Sequence, residues 1–321
     1  MSGKIVVVNP ALTPDQKGYI QQIAQDAGYE VLFCASNKEA LPHMEDALAA
    51  YGRGAELTAA GKNLEWFHSV SAGVDAYLAE GAIANPGMIL TNSSGAYGVT
   101  LAEHTLMVTL EILRRQPEYE RAIAQKNWLK GLRQKTIKGS TVTILGTGDL
   151  GTEIAKRFAA FEPDQVIGVN RSGSSRCHAF TRIVKPEKVE KVLPETDILV
   201  MALPGTPQTY HFMNRERIAL LNSEAVLVNV GRGNALEQDA LAQALREGKL
   251  HAAALDVFEK EPLPEEDPLW SCPNLLITPH VAGNLTAPYT VEKNVEIFCS
   301  NLKNFLEGRP LMHIVDRNRG Y

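Results

Sequence analysis

The sequence of 321 residues has few of the features that mark disulfide-rich, membrane-spanning or nucleic-acid-binding proteins. Its four cysteines are widely scattered and form no CxxC pair, which favours reduced thiols over a disulfide framework and predicts no metal site. No apolar run approaches the roughly 18 residues of a membrane-spanning helix. The formal net charge of −5 gives no support for binding to nucleic acid or to an anionic membrane surface.

The composition is that of a globular protein with a sizeable core. Hydrophobic residues make up 45% of the sequence and charged residues 21%. A chain of this length is expected to form about two domains. The apolar run at residues 5–8 is too short for a signal peptide, and together with the reduced thiols it predicts a cytoplasmic location.

Short apolar runs alternate with helical segments in the first part of the chain, and this alternation predicts a parallel sheet covered by helices. The predicted strands lie at residues 4–8, 29–33, 47–51, 65–70 and 88–91. Residues 14–27 are predicted to form a helix with Thr13 as its N-cap. Two further helices are predicted at 99–115 and 118–126.

A second alternation begins at residue 142 and predicts a nucleotide-binding domain. Its predicted strands lie at 142–145, 165–169, 197–203, 225–230, 252–257 and 275–278, and its predicted helices at 149–161, 186–193, 214–221 and 238–247. A last amphipathic helix at 287–306 is expected to return to the first domain. The predicted fold class is α/β with two doubly wound parallel-sheet domains. They are a flavodoxin-like substrate (catalytic) domain at 1–99 and 285–321, and a Rossmann-type cofactor domain at 100–284.

The strongest local motif is G-x-G-x-x-G at Gly146, Gly148 and Gly151. An apolar run precedes it and helix-period apolar residues follow, which is the strand–turn–helix context of a dinucleotide-binding site. An ordinary glycine-rich turn is the alternative. We therefore predict that the helix N-terminus binds a pyrophosphate. The residues expected to take part are Gly146, Gly148, Asp149, Leu150 and Gly151.

The end of the next strand indicates which dinucleotide is bound. An acidic residue that binds the ribose 2′-hydroxyl of NAD is expected about 20 residues past the glycines. Asn170 stands there instead, and no carboxylate is beside it. Arg171 offers a permanently charged, forked donor for a 2′-phosphate, with the hydroxyl of Ser172 next to it. We predict a preference for NADP(H), with NAD(H) still possible. The alternative is a solvated loop arginine without a ligand.

Three side chains that follow predicted strands of the second domain are suited to carbonyl reduction. Arg232 lies between two glycines, where ligands of such sheets bind, and can hold the carboxylate of a 2-keto acid. His280 can donate a proton near neutral pH, and a carboxylate such as Glu261 would stabilise its protonated ring. A lone histidine is more often structural, so the prediction depends on the three groups together.

Taken in this order and spacing, the motifs resemble those of the D-isomer-specific 2-hydroxyacid dehydrogenase family over essentially the whole chain. The shared segments are G-x-G-x-x-G, V-x-R-G at 230–233, D-V-F-x-x-E-P at 256–262 and P-H at 279–280. The resemblance implies Arg232, Glu261 and His280 as catalytic residues, with Arg232 also binding the substrate. Further cofactor contacts implied by the resemblance are Leu203, Pro204, Thr209, Val230, Asp256, which would meet the nicotinamide carboxamide, and Gly283.

The resemblance also implies a substrate loop, in which backbone N–H groups of Ala72, Gly73 and Val74 meet the substrate carboxylate. A simple strand-to-helix turn is the alternative. The long helix at 99–115 is implied to build a homodimer interface, although it is also able to pack only within its own chain.

The choice of substrate follows from two details. The loop of Arg171 resembles that of NADPH-preferring glyoxylate/hydroxypyruvate reductases, and Thr278 departs from the glutamine that formate dehydrogenases carry there. We therefore predict NADPH-dependent reduction of a small 2-keto acid, such as glyoxylate or hydroxypyruvate, to the D-2-hydroxy acid. The alternatives are another substrate such as 3-phosphoglycerate or D-lactate, a dinucleotide-sensing corepressor-like protein, and an amino-acid dehydrogenase.

Some chemically able side chains are expected to be structural. Glu103 and His104 lie within the predicted long helix and are expected to support the fold. Core packing is the expected fate of Trp66, Trp128 and Trp270, with a place near the substrate as the alternative.

Overall fold

The structure is a computed structural model that describes residues 3–320. The strands are β1 Lys4–Val7, β2 Glu30–Phe33, β3 Ala47–Gly52, β4 Trp66–Ser69, β5 Ile89–Asn92, β6 Thr141–Leu145, β7 Gln165–Val169, β8 Arg182–Val184, β9 Ile198–Met201, β10 Val226–Asn229, β11 Ala252–Leu255 and β12 Leu275–Ile277. The α-helices are α1 Pro14–Asp26, α2 Asn37–Ala40, α3 Ala55–Ala60, α4 Gly98–Leu113, α5 Gln116–Ala124, α6 Asp149–Ala159, α7 Arg215–Ile218, α8 Gln238–Arg246 and α9 Pro288–Leu306. The chain divides into two compact units, Met1–Tyr97 with Asn284–Tyr321, and Gly98–Gly283.

The first unit contains a five-stranded parallel sheet in the order β2-β1-β3-β4-β5. This is the flavodoxin-like order of a doubly wound sheet. Helix α1 begins with the predicted cap, because the Thr13 hydroxyl accepts from the Gln16 N–H and the Gln16 side chain accepts from the Thr13 N–H. Helix α9 belongs to this unit and stacks Phe298 on Tyr51, with ring centroids 4.0 Å apart.

The second unit contains a seven-stranded parallel sheet in the order β12-β11-β10-β9-β6-β7-β8. Strands β9 and β10 are buried along their whole length, which explains their continuous apolar runs. The chain order reverses between β6 and β9, and ligands of such sheets bind at this switch point, beyond the carboxyl ends of the strands. The predicted fold class, α/β with two doubly wound parallel sheets, is confirmed.

Several short elements differ from the sequence prediction. The helix predicted at 186–193 is a 3-10 helix, Pro186–Lys191, followed by a second 3-10 helix, Leu193–Glu195. The helix predicted at 214–221 is only α7, Arg215–Ile218. Strand β8 and the short helices α2 and α3 were not predicted, since elements of three to six residues show little periodicity.

The three tryptophans have different environments. Trp66 is fully buried, as predicted, but core packing is wrong for Trp128 and Trp270, which are 85% and 54% exposed. The indole of Trp270 is nevertheless held in place, because its Nε1–H donates to the carbonyl of Pro264 at 2.8 Å.

Within residues 3–320, no helix combines the length and the apolar character that crossing a membrane requires.

Candidate active site

The glycine loop between β6 and α6 has the geometry that a dinucleotide requires. Gly146 has a φ of +94°, and a Cβ there would lie 2.6 Å from the carbonyl oxygen of Ala202. A Cβ on Gly151 would lie 1.9 Å from the carbonyl oxygen of Gly146, so only glycine allows α6 to approach this closely. At Gly148, the N-cap of α6, an added Cβ would meet nothing within 4 Å. The helix N-terminus is therefore open to a pyrophosphate.

The loop after β7 is folded around the side chain of Asn170. Its amide donates to the Thr147 hydroxyl at 2.5 Å and to the Ser174 carbonyl at 2.8 Å, and its oxygen accepts from the Gly173 N–H at 2.7 Å. The hydroxyl of Ser172 donates to the same oxygen at 3.1 Å. Asn170 therefore fixes the turn on which the exposed Arg171 stands.

The structure brings His280 and Glu261 into direct contact. His280 Nδ1 lies 2.6 Å from Glu261 Oε2, and the other carboxylate oxygen accepts from the Phe258 N–H at 2.9 Å. The two side chains are 47% and 35% exposed, so the pair is accessible to a ligand. Because Nδ1 is engaged by the carboxylate, Nε2 is the ring nitrogen that can exchange a proton with a substrate.

Arg232 follows the neighbouring strand β10, and its turn is shaped by Asn229. The Asn229 side chain accepts from the Gly231 N–H and donates to the Arg232 carbonyl, both at 3.1 Å. A Cβ on Gly233 would lie 1.9 Å from the carbonyl carbon of Phe258, so the turns after β10 and β11 touch through their backbones. Arg232, Glu261 and His280 thus follow three adjacent strands at one edge of the sheet.

Comparison with known proteins identifies this arrangement. A sequence model described as "D-isomer specific 2-hydroxyacid dehydrogenase, NAD binding domain" matches residues 106–282, more than half of the chain. The chain belongs to this family. The enzyme is 34% identical over 274 residues to glyoxylate/hydroxypyruvate reductase A HPR2 of Arabidopsis thaliana, a match that covers 82% of each chain.

Solved structures of 2-hydroxyacid dehydrogenases share the whole fold. A D-isomer specific 2-hydroxyacid dehydrogenase family protein from Aeromonas salmonicida subsp. salmonicida superposes with a TM-score of 0.85 at 32% identity, covering 99% of this chain and 100% of that one. An NADPH-dependent glyoxylate/hydroxypyruvate reductase from Sinorhizobium meliloti, in complex with NADP and sulfate, has a TM-score of 0.83 at 28% identity, covering 100% of each chain. The present protein is thus an NAD(P)-dependent D-2-hydroxyacid dehydrogenase family enzyme and an oxidoreductase.

In this 2-hydroxyacid dehydrogenase, Asp256 holds the segment that carries His280. Asp256 is 2% exposed. Its Oδ1 accepts from the Thr278 hydroxyl at 2.6 Å and the Val281 N–H at 2.9 Å, and its Oδ2 accepts from the Ala282 N–H at 3.1 Å. His280 has a φ of +53°, an uncommon conformation for a residue other than glycine, which these bonds help to stabilise.

A further histidine contacts the Asp256 cluster. His104 Nε2 lies 3.2 Å from the Thr278 hydroxyl and 4.0 Å from Asp256 Oδ1. Burial lowers the pKa of His104, and the charge of Asp256 opposes that shift. A structural role for His104 was expected from the sequence. Its partners Thr278 and Asp256 were not predicted, because they lie far from it in the chain.

A second His–Glu pair in this enzyme was missed from sequence. His211 Nε2 lies 2.9 Å from Glu259 Oε1, and the ring of Tyr210 stacks on that of His211 at 4.0 Å. The pair links the segment after β9, where Thr209 donates to the Pro204 carbonyl at 2.6 Å, to the segment after β11. Its members lie 48 residues apart in the chain, and no local motif marks them.

The segment predicted as the substrate loop follows β4 in the first unit. The Ala72 carbonyl accepts from the side-chain amide of Asn92 at 2.8 Å, and Val74 is buried. The Val70 carbonyl accepts from the Tyr97 hydroxyl and the Asn294 amide, both at 2.6 Å. The loop is therefore anchored at both of its ends within its own unit.

Proposed function

We propose that this enzyme uses NADPH to reduce a small 2-keto acid, of the glyoxylate or hydroxypyruvate type, to the D-2-hydroxy acid. The observation that carries the proposal is the 2.6 Å contact between His280 Nδ1 and Glu261 Oε2, beside the strand that leads into Arg232. A carboxylate-bound, half-exposed imidazole and a guanidinium that follow neighbouring strands match a substrate that carries a carboxylate and a carbonyl.

The proposed catalytic roles follow from the chemistry of each group. Arg232 holds the substrate carboxylate with its forked N–H groups. His280 gives the proton on Nε2 to the carbonyl oxygen. Before this transfer, Glu261 keeps Nδ1 protonated and stabilises the imidazolium. NADPH, when bound, supplies the hydride that the carbonyl carbon receives. Hydride on carbon and proton on oxygen complete the alcohol.

The residues of the second unit fit the dinucleotide. Gly146, Gly148 and Gly151 leave the N-terminus of α6 open, and Asp149 and Leu150 form its first turn. The further proposed cofactor contacts lie in the segments after β9, β10, β11 and β12, and are Leu203, Pro204, Thr209, Val230, Asp256 and Gly283.

The preference for NADPH is supported by the charges around β7 and β8. Residues 165–186 include Arg171, Arg176, Arg182 and Lys185 but no aspartate or glutamate. Asn170 stands where an acidic residue is expected for NAD. Its side chain is engaged in hydrogen bonds within the loop that carries Arg171 and Ser172. A 2′-phosphate would meet cations and hydroxyls there rather than a repelling carboxylate. The relatives from Xanthobacter autotrophicus and Sinorhizobium meliloti were solved with NADPH and with NADP.

The first unit is proposed to contribute substrate binding through Ala72, Gly73 and Val74. Their loop is fixed by hydrogen bonds to the Val70 and Ala72 carbonyls at its start and by the Tyr77 N–H bond to the Val74 carbonyl at its end, so its backbone N–H groups are ordered before a ligand arrives. The proposal includes a homodimer that uses α4, on which Met107 is 46% exposed. Light scattering of the purified protein would measure its oligomeric state directly.

A panel of 2-keto acids assayed with NADPH and with NADH tests the proposal. We expect glyoxylate or hydroxypyruvate to give the highest kcat/KM, and NADPH to exceed NADH. Replacing Arg171 with Gln should raise the KM for NADPH about tenfold and leave that for NADH unchanged, since roughly 1.4 kcal/mol corresponds to one such ion pair. Arg309→Gln is the matched control, because Arg309 lies in the first unit and pairs with Glu307 at 2.7 Å.

Two results would count against the proposal. A higher kcat/KM with NADH in the unmodified enzyme would remove the preference for NADPH. Tight NADPH binding without turnover of any keto acid would favour a dinucleotide-sensing protein.

A further inference from the structure

A cavity lies at the edge of the seven-stranded sheet opposite to the catalytic residues. It measures about 350 Å³ and lies within the second unit. Ala252 and Leu275, the first residues of β11 and β12, line it. Glu261 and His280 follow the other ends of these same strands, so the cavity is separated from them by the length of the sheet.

Arg115 places a buried, unsatisfied donor at this cavity. Its Nη2 pairs with Glu118 Oε1 at 2.5 Å. Its Nε is buried and makes no hydrogen bond with any residue between 3 and 320. Buried donors in native structures nearly always have an acceptor, so Arg115 retains an unused hydrogen-bond donor beside the cavity.

The charges that line the cavity favour an anion. Arg115, Arg121 and His251 line it together with one carboxylate, Glu118, which is already paired with Arg115. Burial lowers the pKa of His251, the charges of Lys135 and Arg115 lower it further, and those of Glu224 and Glu118 oppose the shift, so an anion would meet two guanidinium groups and a neutral imidazole. A carboxylate would provide the acceptor oxygens that guanidinium groups bind in pairs.

The remaining lining favours a planar apolar body on that anion. Ile112, Leu275 and Leu276 provide aliphatic surface. Trp270 is 54% exposed at the cavity, yet its indole is fixed by the hydrogen bond from Nε1 to the Pro264 carbonyl. A rigid, accessible indole offers a face on which a flat ring stacks without loss of side-chain freedom.

We propose that this cavity is a second ligand site, which binds a small organic carboxylate with an aromatic or similarly planar body. The site is separate from the proposed substrate site, where Arg232 would also attract carboxylates. The carboxylate meets Arg115 and Arg121, and the ring lies against Trp270.

Fluorine NMR with 4-fluorobenzoate tests the site in the Arg232→Gln variant, in which carboxylate binding at the catalytic edge is removed. We expect 4-fluorobenzoate to bind saturably to the Arg232→Gln variant. Adding Arg115→Gln or Arg121→Gln to that variant should weaken its binding about tenfold. Arg121 is exposed, so its variant remains informative if Arg115→Gln fails to fold. Arg114→Gln is the matched control, because Arg114 is exposed, donates to Gln134 and does not line the cavity. The neutral isostere 4-fluorobenzamide should bind about tenfold more weakly than the acid.

Three results would overturn the proposal. The first is binding of 4-fluorobenzoate that neither added arginine variant weakens. The second is equal binding of the amide, which would show that charge plays no part. The third is binding confined to concentrations at which light scattering finds only monomers, which would mean that a second copy of the chain covers the cavity.

Discussion

Two histidines at the strands of the two sheets show how differently one residue type is used in this enzyme. His68, in β4 of the first unit, is fully buried, with Nδ1 2.7 Å from the Thr91 hydroxyl and Nε2 3.2 Å from the Ser93 hydroxyl. Burial lowers the pKa of His68 to about 3, helped by the nearby charge of His313. His280, beyond β12 of the second unit, is half exposed and contacts a carboxylate instead.

The difference lies in the partners rather than in the position along a strand. Hydroxyl groups satisfy a neutral imidazole in either tautomer but do nothing to offset a buried positive charge. A carboxylate stabilises the charged ring, and exposure leaves its second nitrogen open to a ligand. His68 therefore supports the fold, whereas the surroundings of His280 suit the proton transfer proposed for it.

The largest expected effect comes from removing the imidazole of His280. His280→Gln should lower kcat about a thousandfold, within the range for loss of a general acid, while the Kd for NADPH stays within about twofold. His211→Gln is the matched control, because His211 also contacts a glutamate, Glu259, at the same sheet edge. A His280→Gln enzyme within tenfold of wild-type turnover, or an equal loss in His211→Gln, would show that the His–Glu contact at His280 has no special role.

Asp256→Asn should give the next largest effect, because it disturbs the position of His280 without touching its ring. An amide nitrogen would replace one of the two oxygens that now accept from the backbone, Oδ1 from the Val281 N–H and Oδ2 from the Ala282 N–H. We expect kcat to fall about a hundredfold, as a displacement near 1 Å can do, and the Kd for NADPH to rise only about fivefold through the proposed cofactor contact of Asp256. A large rise in that Kd with kcat preserved would instead favour the direct nicotinamide contact implied by the sequence resemblance.

Both sheets and the order of the site segments were predictable from sequence, since buried parallel strands produce long apolar runs and each motif directly follows one of them. The contacts of Asp256 were not, because its partners at 278–282 reach it only after β11 and β12 have paired. Periodicity likewise marks His68 as part of a strand but does not reveal Thr91 and Ser93 around it. These contacts depend on strand register and burial, which emerge only in the folded chain.

The buried state of His68 predicts a loss of stability in acid that its replacement reduces. The folded pKa is depressed, so below about pH 6.5 the unfolded chain takes up a proton that the folded chain excludes. This effect is absent above that pH and grows as the pH falls towards about 3. Between about pH 7 and pH 5 it should cost wild type about 2 kcal/mol of unfolding free energy that His68→Gln does not lose.

Urea unfolding followed by tryptophan fluorescence measures this difference, with Trp66 as a reporter whose ring centroid lies 6.1 Å from that of His68. His178→Gln, on the exposed surface of the second unit, serves as the control and should lose as much stability as wild type. Equal acid sensitivity of wild type and His68→Gln would mean that His68 is protonated in the folded protein.

The smallest expected effect is on substrate binding, and it comes from the hydrogen-bond network of the first unit. The Tyr97 hydroxyl donates to the Val70 carbonyl at 2.6 Å, just before the proposed substrate loop. Burial raises the pKa of Tyr97 to about 12, so it remains a donor at any working pH. Tyr97→Phe removes this hydrogen bond, worth about 1 kcal/mol, and the longer one that Tyr97 accepts from the Asn294 amide at 3.2 Å, while that amide still donates to the Val70 carbonyl. We therefore expect the KM for the keto acid to rise about fivefold with kcat within about twofold, because the loop loosens but His280 is untouched.

Tyr19→Phe, at an exposed tyrosine of the same unit, should leave both constants unchanged. A fall in kcat with KM unchanged would place Tyr97 in the chemical step and would remove the division between a supporting first unit and a catalytic second one.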